Sequence, residues 1–315
     1  MNCLCCGKPL KGDSGCGWHK ACIKRFFGTT EIPELEIDQK TLEALATQST
    51  NKGLTVPGVQ KKLSLHLHSE NGDNRLTLVD YPTGYILKPQ VEDFESLPES
   101  EQLVMCMADA TGISTVPHAL VQNGNDFAYI TKRVDRIGAG SEVGKLAMED
   151  FCQLDLRLTA DKYKGSYERC AKIVKKYSSQ MGLDMAELFM RIIFSFVVGN
   201  SDMHLKNFSM IETGEASSEY VLSAAYDLLP VNVIMPEDDE ECALALNGKK
   251  SNLNKGDFIL FAESCDITKA SAEKMIRKIV SMKERYTQMC RDSLLPDHLK
   301  NELIELIEKR CKILS

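Results

Sequence analysis

Asp202, His204, Lys206 and Asn207 place a carboxylate, an imidazole, an ammonium and an amide within six positions, in "NSDMHLKNFS". The stretch follows "LFMRIIFSFVVG", an apolar run that a globular protein buries. Three chemistries fit such a loop: phosphoryl transfer, a metal centre, or an ordinary polar turn. A zinc centre on His204 lacks partners, because the chain has six histidines and no cysteine lies near this position. His204 is then a loop-fixing residue, counted with those on the cofactor side. For phosphoryl transfer the types suffice. Asp202 would accept the proton of an attacking hydroxyl, and Lys206 would neutralise charge on the transferred group. Asn207 and, twenty residues on, Asp227 would give hard oxygen ligands to Mg2+.

A second cluster lies at the amino-terminal end. Cys3 and Cys6 form one C-x2-C knuckle, and His19 and Cys22 form an H-x2-C knuckle after it. Four thiolate and imidazole ligands at that spacing suit tetrahedral, structural Zn2+ with no open position for water. Cys5 and Cys16 compete for the same role. So short a segment has no apolar core of its own, so metal binding would supply its folding energy. Trp18, Phe26 and Phe27 would pack against the clipped loop. The alternative is an unstructured cysteine-rich leader.

The elements between these clusters must position a nucleotide if the first reading holds. Gly53 and Gly58 bracket Leu54-Thr55-Val56-Pro57, a tight loop whose N–H groups could meet phosphate oxygens. A plain hairpin turn is the alternative. Alternation from Lys62 to His68 predicts a strand with one buried face, followed by strands in "NRLTLVDY" and "GYILKPQ". Lys88 closes the last of these. "LPESEQLVMCMADATGI" predicts a helix stopped at Gly112, with Glu101 in its first turn, in reach of the Lys88 amine. Glycine loop, strand lysine, helix glutamate is the order in which kinases hold ATP. A strand through Ala128–Thr131 then enters Lys132-Arg133-Val134, the hinge in such a plan, with Asp135 and Arg136 paired on the surface.

Beyond the hinge, "KLAMEDFCQLDLR", "SYERCAKIVKKYSSQ" and "DMAELFMRIIFSFVVGN" predict helices, the last with Leu188, Phe189, Ile192, Ile193, Phe196 and Val197 at helical spacing. "NFSMIE" and "YVLSAAYDLLP" predict a hairpin turning at Thr213-Gly214, with Asp227 at its far end. The carboxy-terminal third predicts amphipathic helices. "PEDDEEC" reads as a solvated acidic loop, and "LNGKKSNLNK" as a basic segment on the substrate side.

The whole chain sets limits. Its 315 residues can bury a large core, and 43% apolar with 26% charged content is ordinary for a globular protein. A net charge of −7 without a basic block argues against direct nucleic-acid binding, and no run reaches bilayer-spanning length. The start lacks the basic and apolar regions of a signal peptide, so the twelve cysteines read as reduced thiols in a cytoplasm. Delivery into another cell as an effector is compatible with the same features. The expected fold is α+β and two-lobed, kinase-like: residues 1–28 a zinc-knuckle segment, 29–134 a β-rich lobe with its glycine loop at 53–60, and 135–315 a helical lobe.

These segments resemble the HipA-type serine/threonine kinases of bacterial toxin–antitoxin systems, above all the short HipT form. The resemblance rests on "TVPGVQKKLSL", "YILKPQ", "LPESEQ", "TKRVDRIG", "LAMEDFCQL", "KYKGSYE", "GNSDMHLKNFS", "AAYDLLP" and "LALNGKKSNL", in order over residues 50–255. It implies a phosphate loop of Val56, Pro57, Gly58, Val59 and Gln60, an ATP contact at Lys88, and a hinge of Lys132, Arg133 and Val134. It implies Asp202 as catalytic base and Asn207 and Asp227 as Mg2+ ligands. It further implies autophosphorylation in the glycine-rich loop, at Thr55 with Ser64 as the fallback, which would eject the loop. Aminoacyl-tRNA synthetases are the implied substrates. A HipB-like DNA-binding antitoxin and a small HipS-like protein are the implied partners, with the amino-terminal segment buttressing the first lobe. The competing readings are a small-molecule kinase of similar plan and a catalytically silent partner-binding module.

Overall fold

The computed structural model describes residues 2–10, 16–35, 62–70, 73–77, 84–139 and 142–315. The expected phosphate loop Val56–Gln60, Thr55 and the helix in "QKTLEALATQ" lie outside the described residues. The chain divides into two compact units, Met1–Gln102 with Pro117–Val143, and Leu103–Val116 with Gly144–Ser315. No helix among the described residues is long and apolar enough to cross a membrane.

The first unit is built on a six-stranded sheet in the order β1-β3-β2-β4-β6-β5. Its strands are β1 (Glu34–Leu35), β2 (Leu63–Glu70), β3 (Asp73–Thr77), β4 (Tyr85–Pro89), β5 (His118–Asn123) and β6 (Asp126–Lys132). All pairings are antiparallel except β1 with β3. The alternation in β2 buries Leu63 and Leu65 as expected, against Leu87, Ala119, Val121, Ala128 and Ile130.

The amino-terminal segment packs on the first lobe in the sense of the expected buttress, but not as a segment without an apolar core: helix α1 (Lys20–Phe27) sends Cys22, Ile23, Phe26 and Phe27 into the same core as the sheet. Phe26 and Phe27 lie with ring centroids 5.8 and 5.6 Å from Tyr85 on β4. Trp18 lies 5.6 Å from both phenylalanines. The segment lacks a core of its own because it borrows this one, so the metal need not supply all of its folding energy.

Helix α2 (Leu97–Thr111) ends at Gly112, whose φ of +86° provides the left-handed residue that closes a helix. Asp135 is another correction. It is buried, accepting from Arg133 Nε and Nη2 at 2.9 and 2.8 Å, with Arg136 at 3.8 Å, because a bidentate guanidinium compensates its desolvation. β7 (Arg136–Ala139) and β8 (Glu142–Lys145) form a separate two-stranded sheet.

The second unit is mainly helical. α4 (Tyr167–Tyr177) and α5 (Met181–Val198) fall where the spacing placed them. α5 is buried on every side from Leu188 to Val198, Met190, Phe194 and Ser195 included. "KLAMEDFCQLDLR" is not one helix. Met148–Asp150 forms β9 and pairs with β10 (Ser209–Glu212), and only Phe151–Leu154 coils, as α3. Asp150 makes the break: its side chain accepts from Gln153 N while the Gln153 side chain reaches back to its N–H, a capping box.

β10 also pairs with β11 (Tyr220–Leu222), which is the expected hairpin. α6 (Val231–Ile234), α7 (Lys255–Ser264), α8 (Lys269–Ser281), α9 (Lys283–Arg291) and α10 (Asp297–Leu314) complete the unit. The acidic stretch is wired in rather than solvated. Asp238 accepts from Ser201, Glu240 from Lys250 at 2.9 Å, and Glu241 from the Leu253 N–H. The basic segment is compensated in the same way, since Lys249 pairs with Asp257 at 2.9 Å.

Candidate active site

The polar loop begins where α5 stops. Gly199 ends the helix at φ +78°, and a Cβ there would stand 2.4 Å from Leu306 Cδ2, so only glycine fits. Arg310 on α10 closes the same end, donating to the Phe196 carbonyl at 2.5 Å and to Asn232 Oδ1 at 2.8 Å. The loop thus starts from a fixed point.

Within the loop the backbone folds on itself. His204 N–H bonds to the Asp202 carbonyl at 2.8 Å, and Asn207 N–H to the His204 carbonyl at 3.0 Å. Asn207 Nδ2 also donates to the Asp202 carbonyl, at 2.9 Å, which leaves the amide oxygen as the end that could meet a cation. Asn207 and His204 are buried, whereas the Asp202 side chain keeps 39% of its surface. An accessible carboxylate on a rigid loop is what a proton acceptor requires.

Asp227 follows Tyr226, and Tyr226 anchors its segment to the loop. The Tyr226 hydroxyl donates to the Lys206 carbonyl at 3.0 Å and pairs with Ser209 Oγ at 2.6 Å. Burial pushes the Tyr226 phenol well above its ordinary range, so it stays protonated and can donate. Asp227 itself has φ +60°, a conformation that costs a non-glycine residue energy and gathers at functional sites.

Two of the expected side chains have partners the sequence did not signal. Lys206 Nζ bonds to Asp150 Oδ2 at 2.6 Å, so the capping residue of α3 also holds the lysine. Tyr163, in the "KYKGSYE" segment that carries the resemblance without an assigned role, donates its hydroxyl to Asp202 Oδ1 at 2.6 Å. Its ring packs edge-on against His204 with centroids 5.0 Å apart. Burial and then the Asp202 hydrogen bond raise the Tyr163 phenol well above its ordinary value. Nothing in the periodicity around Tyr163 could have flagged it.

In the first unit Lys88 and Glu101 meet as expected, Nζ to Oε1 at 2.5 Å, with side chains 5% and 0% exposed. Lys88 Nζ also sits 5.3 Å from the centroid of the Tyr129 ring. The ammonium therefore stays buried beside its counter-ion rather than running to solvent. At the expected hinge, Lys132 is exposed and Arg133 and Val134 half-buried. The N–H groups of Lys132 and Arg133 bond to the carbonyls of Pro117 and Gly84, at 2.9 and 2.8 Å.

Cys3, Cys6, His19 and Cys22 converge, with ligand atoms all within 4.8 Å of one another. His19 Nδ1 faces the sulfurs, 3.5 Å from Cys6 Sγ and 3.9 Å from Cys22 Sγ. Its other nitrogen lies 3.1 Å from the Pro9 carbonyl, the outer bond that fixes a ligating imidazole in one tautomer. The His19 N–H points at Cys3 Sγ from 3.4 Å. Cys5 is buried outside the cluster, its thiol near the His118 carbonyl at 3.8 Å and pushed up to about 11 by burial and then by Cys3. Cys16 is exposed. The competition for ligands resolves in favour of the paired knuckles, and the donor set fits Zn2+.

The comparisons with known proteins follow this geometry. The family model for the HipA-like C-terminal domain matches residues 54–286. A Haemophilus influenzae protein named "Putative kinase" is 27% identical over 98% of this chain and 96% of its own length. A Sinorhizobium fredii protein of like name is 30% identical over 69% of this chain. The chain spans about half of that relative, 53% of its length.

Among solved structures, HipA of Shewanella oneidensis, determined with HipB and its operator DNA, matches with TM-score 0.68 and 20% identity. The match covers 82% of this chain and 64% of that one. The Helicobacter pylori proinflammatory kinase CtkA matches with TM-score 0.54 and 14% identity, over 81% of this chain and 94% of its own. At those identities the likeness is one of fold, mixed α/β and kinase-like. With the family model covering well over half its length, the chain belongs to the HipA-like C-terminal domain family.

Proposed function

We propose that the protein is a serine/threonine protein kinase that uses ATP and Mg2+. The observation that carries this reading is the Asp202 loop: an accessible carboxylate, an asparagine bonded beneath it, and the Asp227 segment anchored to it through Tyr226. Asp202 would orient the acceptor hydroxyl and take its proton. Lys206, held by Asp150, would lie near the transferred group. Asn207 and Asp227 would hold Mg2+, which supplies charge neutralisation on the phosphates. Lys88, braced by Glu101, would meet the nucleotide phosphates, and Val56–Gln60 would cover them. An adenine contact at the hinge would fall to Val134 and to carbonyl oxygens, since the amides of Lys132 and Arg133 are already bonded.

The finer reading is a toxin of a HipA-like system. Its substrate would be an aminoacyl-tRNA synthetase or another translation protein, and Thr55 the site of self-inactivating phosphorylation. A HipB-like antitoxin and a small HipS-like protein would neutralise it. The names of the relatives and the HipA–HipB structure support this reading. A structural Zn2+ at Cys3, Cys6, His19 and Cys22 belongs to the same proposal, as does a division into a knuckle segment, a nucleotide lobe and a helical lobe. Calorimetry of ATP binding tests it. Wild type should bind ATP more tightly with Mg2+ than without it, and Asp227→Ala should lose that gain. Equal binding by both proteins would overturn the reading.

A further inference from the structure

The knuckle of Cys3 and Cys6 is bonded to the helix that carries Glu101. Gln102 Nε2 donates to the carbonyls of Leu4 and Cys5, at 3.2 and 2.9 Å. Both carbonyls lie inside the C-x2-C turn. The Gln102 carbonyl oxygen pairs with His118 Nδ1 at 2.8 Å, so its amide orientation is fixed from both ends. Gln102 is 6% exposed and adjoins Glu101, which holds Lys88.

The same turn covers a sheet edge. β5 is the last strand of the six-stranded sheet, and the Leu120 N–H bonds to the Leu4 carbonyl at 2.9 Å. Trp18 Nε1 then donates to the Leu120 carbonyl at 3.1 Å. A bare edge would otherwise leave these backbone groups without a strand partner. Leu4, Cys5 and Trp18 thus bond to β5 or to α2 only while the turn keeps its shape. The shape is set by where Cys3 and Cys6 converge with His19 and Cys22.

We propose that a Zn2+ held by Cys3, Cys6, His19 and Cys22 acts as a brace for the nucleotide-binding lysine. The metal fixes the turn, the turn fixes Gln102, and Gln102 fixes the second turn of α2, on which the Glu101–Lys88 pair depends. The inference rests on the kinase reading only for the role of Lys88. Gln102 is a positioning residue that touches no substrate in this account. Loss of Zn2+ by chelation would therefore loosen nucleotide binding from outside the site.

The test combines zinc analysis of the purified protein, hydrogen exchange over residues 85–89 and 97–102, and the Kd for ATP with Mg2+. Wild type and Cys16→Ser should each carry one zinc per chain and protect both segments. Cys6→Ser should lose the zinc. Gln102→Ala should keep it, and it serves where Cys6→Ser fails to fold. Both variants should speed exchange in the two segments by about tenfold and weaken ATP binding by a similar factor, the scale of one buried hydrogen-bonded anchor. Wild type that takes up no zinc when offered it would overturn the site. Unchanged exchange in Gln102→Ala and in zinc-free protein would overturn the brace. Wild type that holds zinc and protects both segments but binds no nucleotide would overturn the kinase reading and leave the brace standing.

Discussion

Tyr163 donates its hydroxyl to Asp202 Oδ1 at 2.6 Å, on the carboxylate to which an acceptor hydroxyl would donate. The carboxylate on which the proposed chemistry turns is therefore already occupied by a hydroxyl of its own chain. An acceptor side chain must displace that phenol or share the carboxylate with it.

Tyr163→Phe removes the competing donor and keeps the ring that packs on His204. The expected result is a fall in the KM for the protein acceptor of about tenfold, the lower end of the value of one hydrogen bond to a charged group, with the Kd for ATP unchanged. Steady-state kinetics with acceptor and nucleotide varied separately check this. A lower kcat with unchanged KM would mean that Tyr163 orients Asp202 instead.

The buried pair of Lys88 and Glu101 separates stability from function. Glu101→Leu leaves a buried ammonium beside Tyr129 and should cost about 3 kcal/mol in urea unfolding. Adding Lys88→Met should recover most of that stability while ATP binding stays lost. Paired denaturation and binding titrations on the single and double variants decide it.

Asp135 gives a pH dependence. Burial raises its carboxyl, but the Arg133 hydrogen bonds, then the charges of Arg133 and Arg136, outweigh that and hold it below the ordinary carboxylate value of 3.8. A group depressed in the folded state contributes stability above its unfolded pKa, and loses it as pH falls through the folded value. Asp135→Asn should thus destabilise the protein at neutral pH by about 2 kcal/mol. The difference from wild type should shrink below about pH 4. Urea midpoints at several pH values measure it.

Two glycines in the left-handed region make a matched comparison. A Cβ on Gly28, at φ +79°, meets nothing within 4 Å, whereas one on Gly199 strikes Leu306 at 2.4 Å. Gly28→Ala should cost about 1 kcal/mol from backbone strain alone, and Gly199→Ala clearly more. Equal unfolding midpoints for the two variants would argue that α10 can yield at Leu306.

Much of this arrangement could be read from the chain because it is carried by local patterns. The alternation of β2, the apolar spacing of α5, the two knuckles and the Lys88–Glu101 order all announce themselves at short range. What was not legible depends on partners distant in sequence. Lys206 and Asp150 are 56 residues apart, and Tyr163 and Asp202 are 39 apart. β9 was hidden in a helical pattern because its strand character comes from pairing with β10, more than 50 residues on. The acidic stretch read as solvated because ion pairs such as Glu240 with Lys250 leave no periodic trace. The amino-terminal segment read as coreless because its apolar side chains pack against strands that come much later.

The most direct measurement of the central claim is transfer of labelled γ-phosphate from ATP, with Mg2+, to the proteins of a bacterial lysate and to the protein itself. Wild type should label itself and at least one lysate protein on serine or threonine. Asp202→Ala and Asp227→Ala, both folded by circular dichroism, should label neither. Transfer that survives Asp202→Ala at the wild-type rate, or folded wild type that binds ATP yet transfers no phosphate to any protein, would contradict the account.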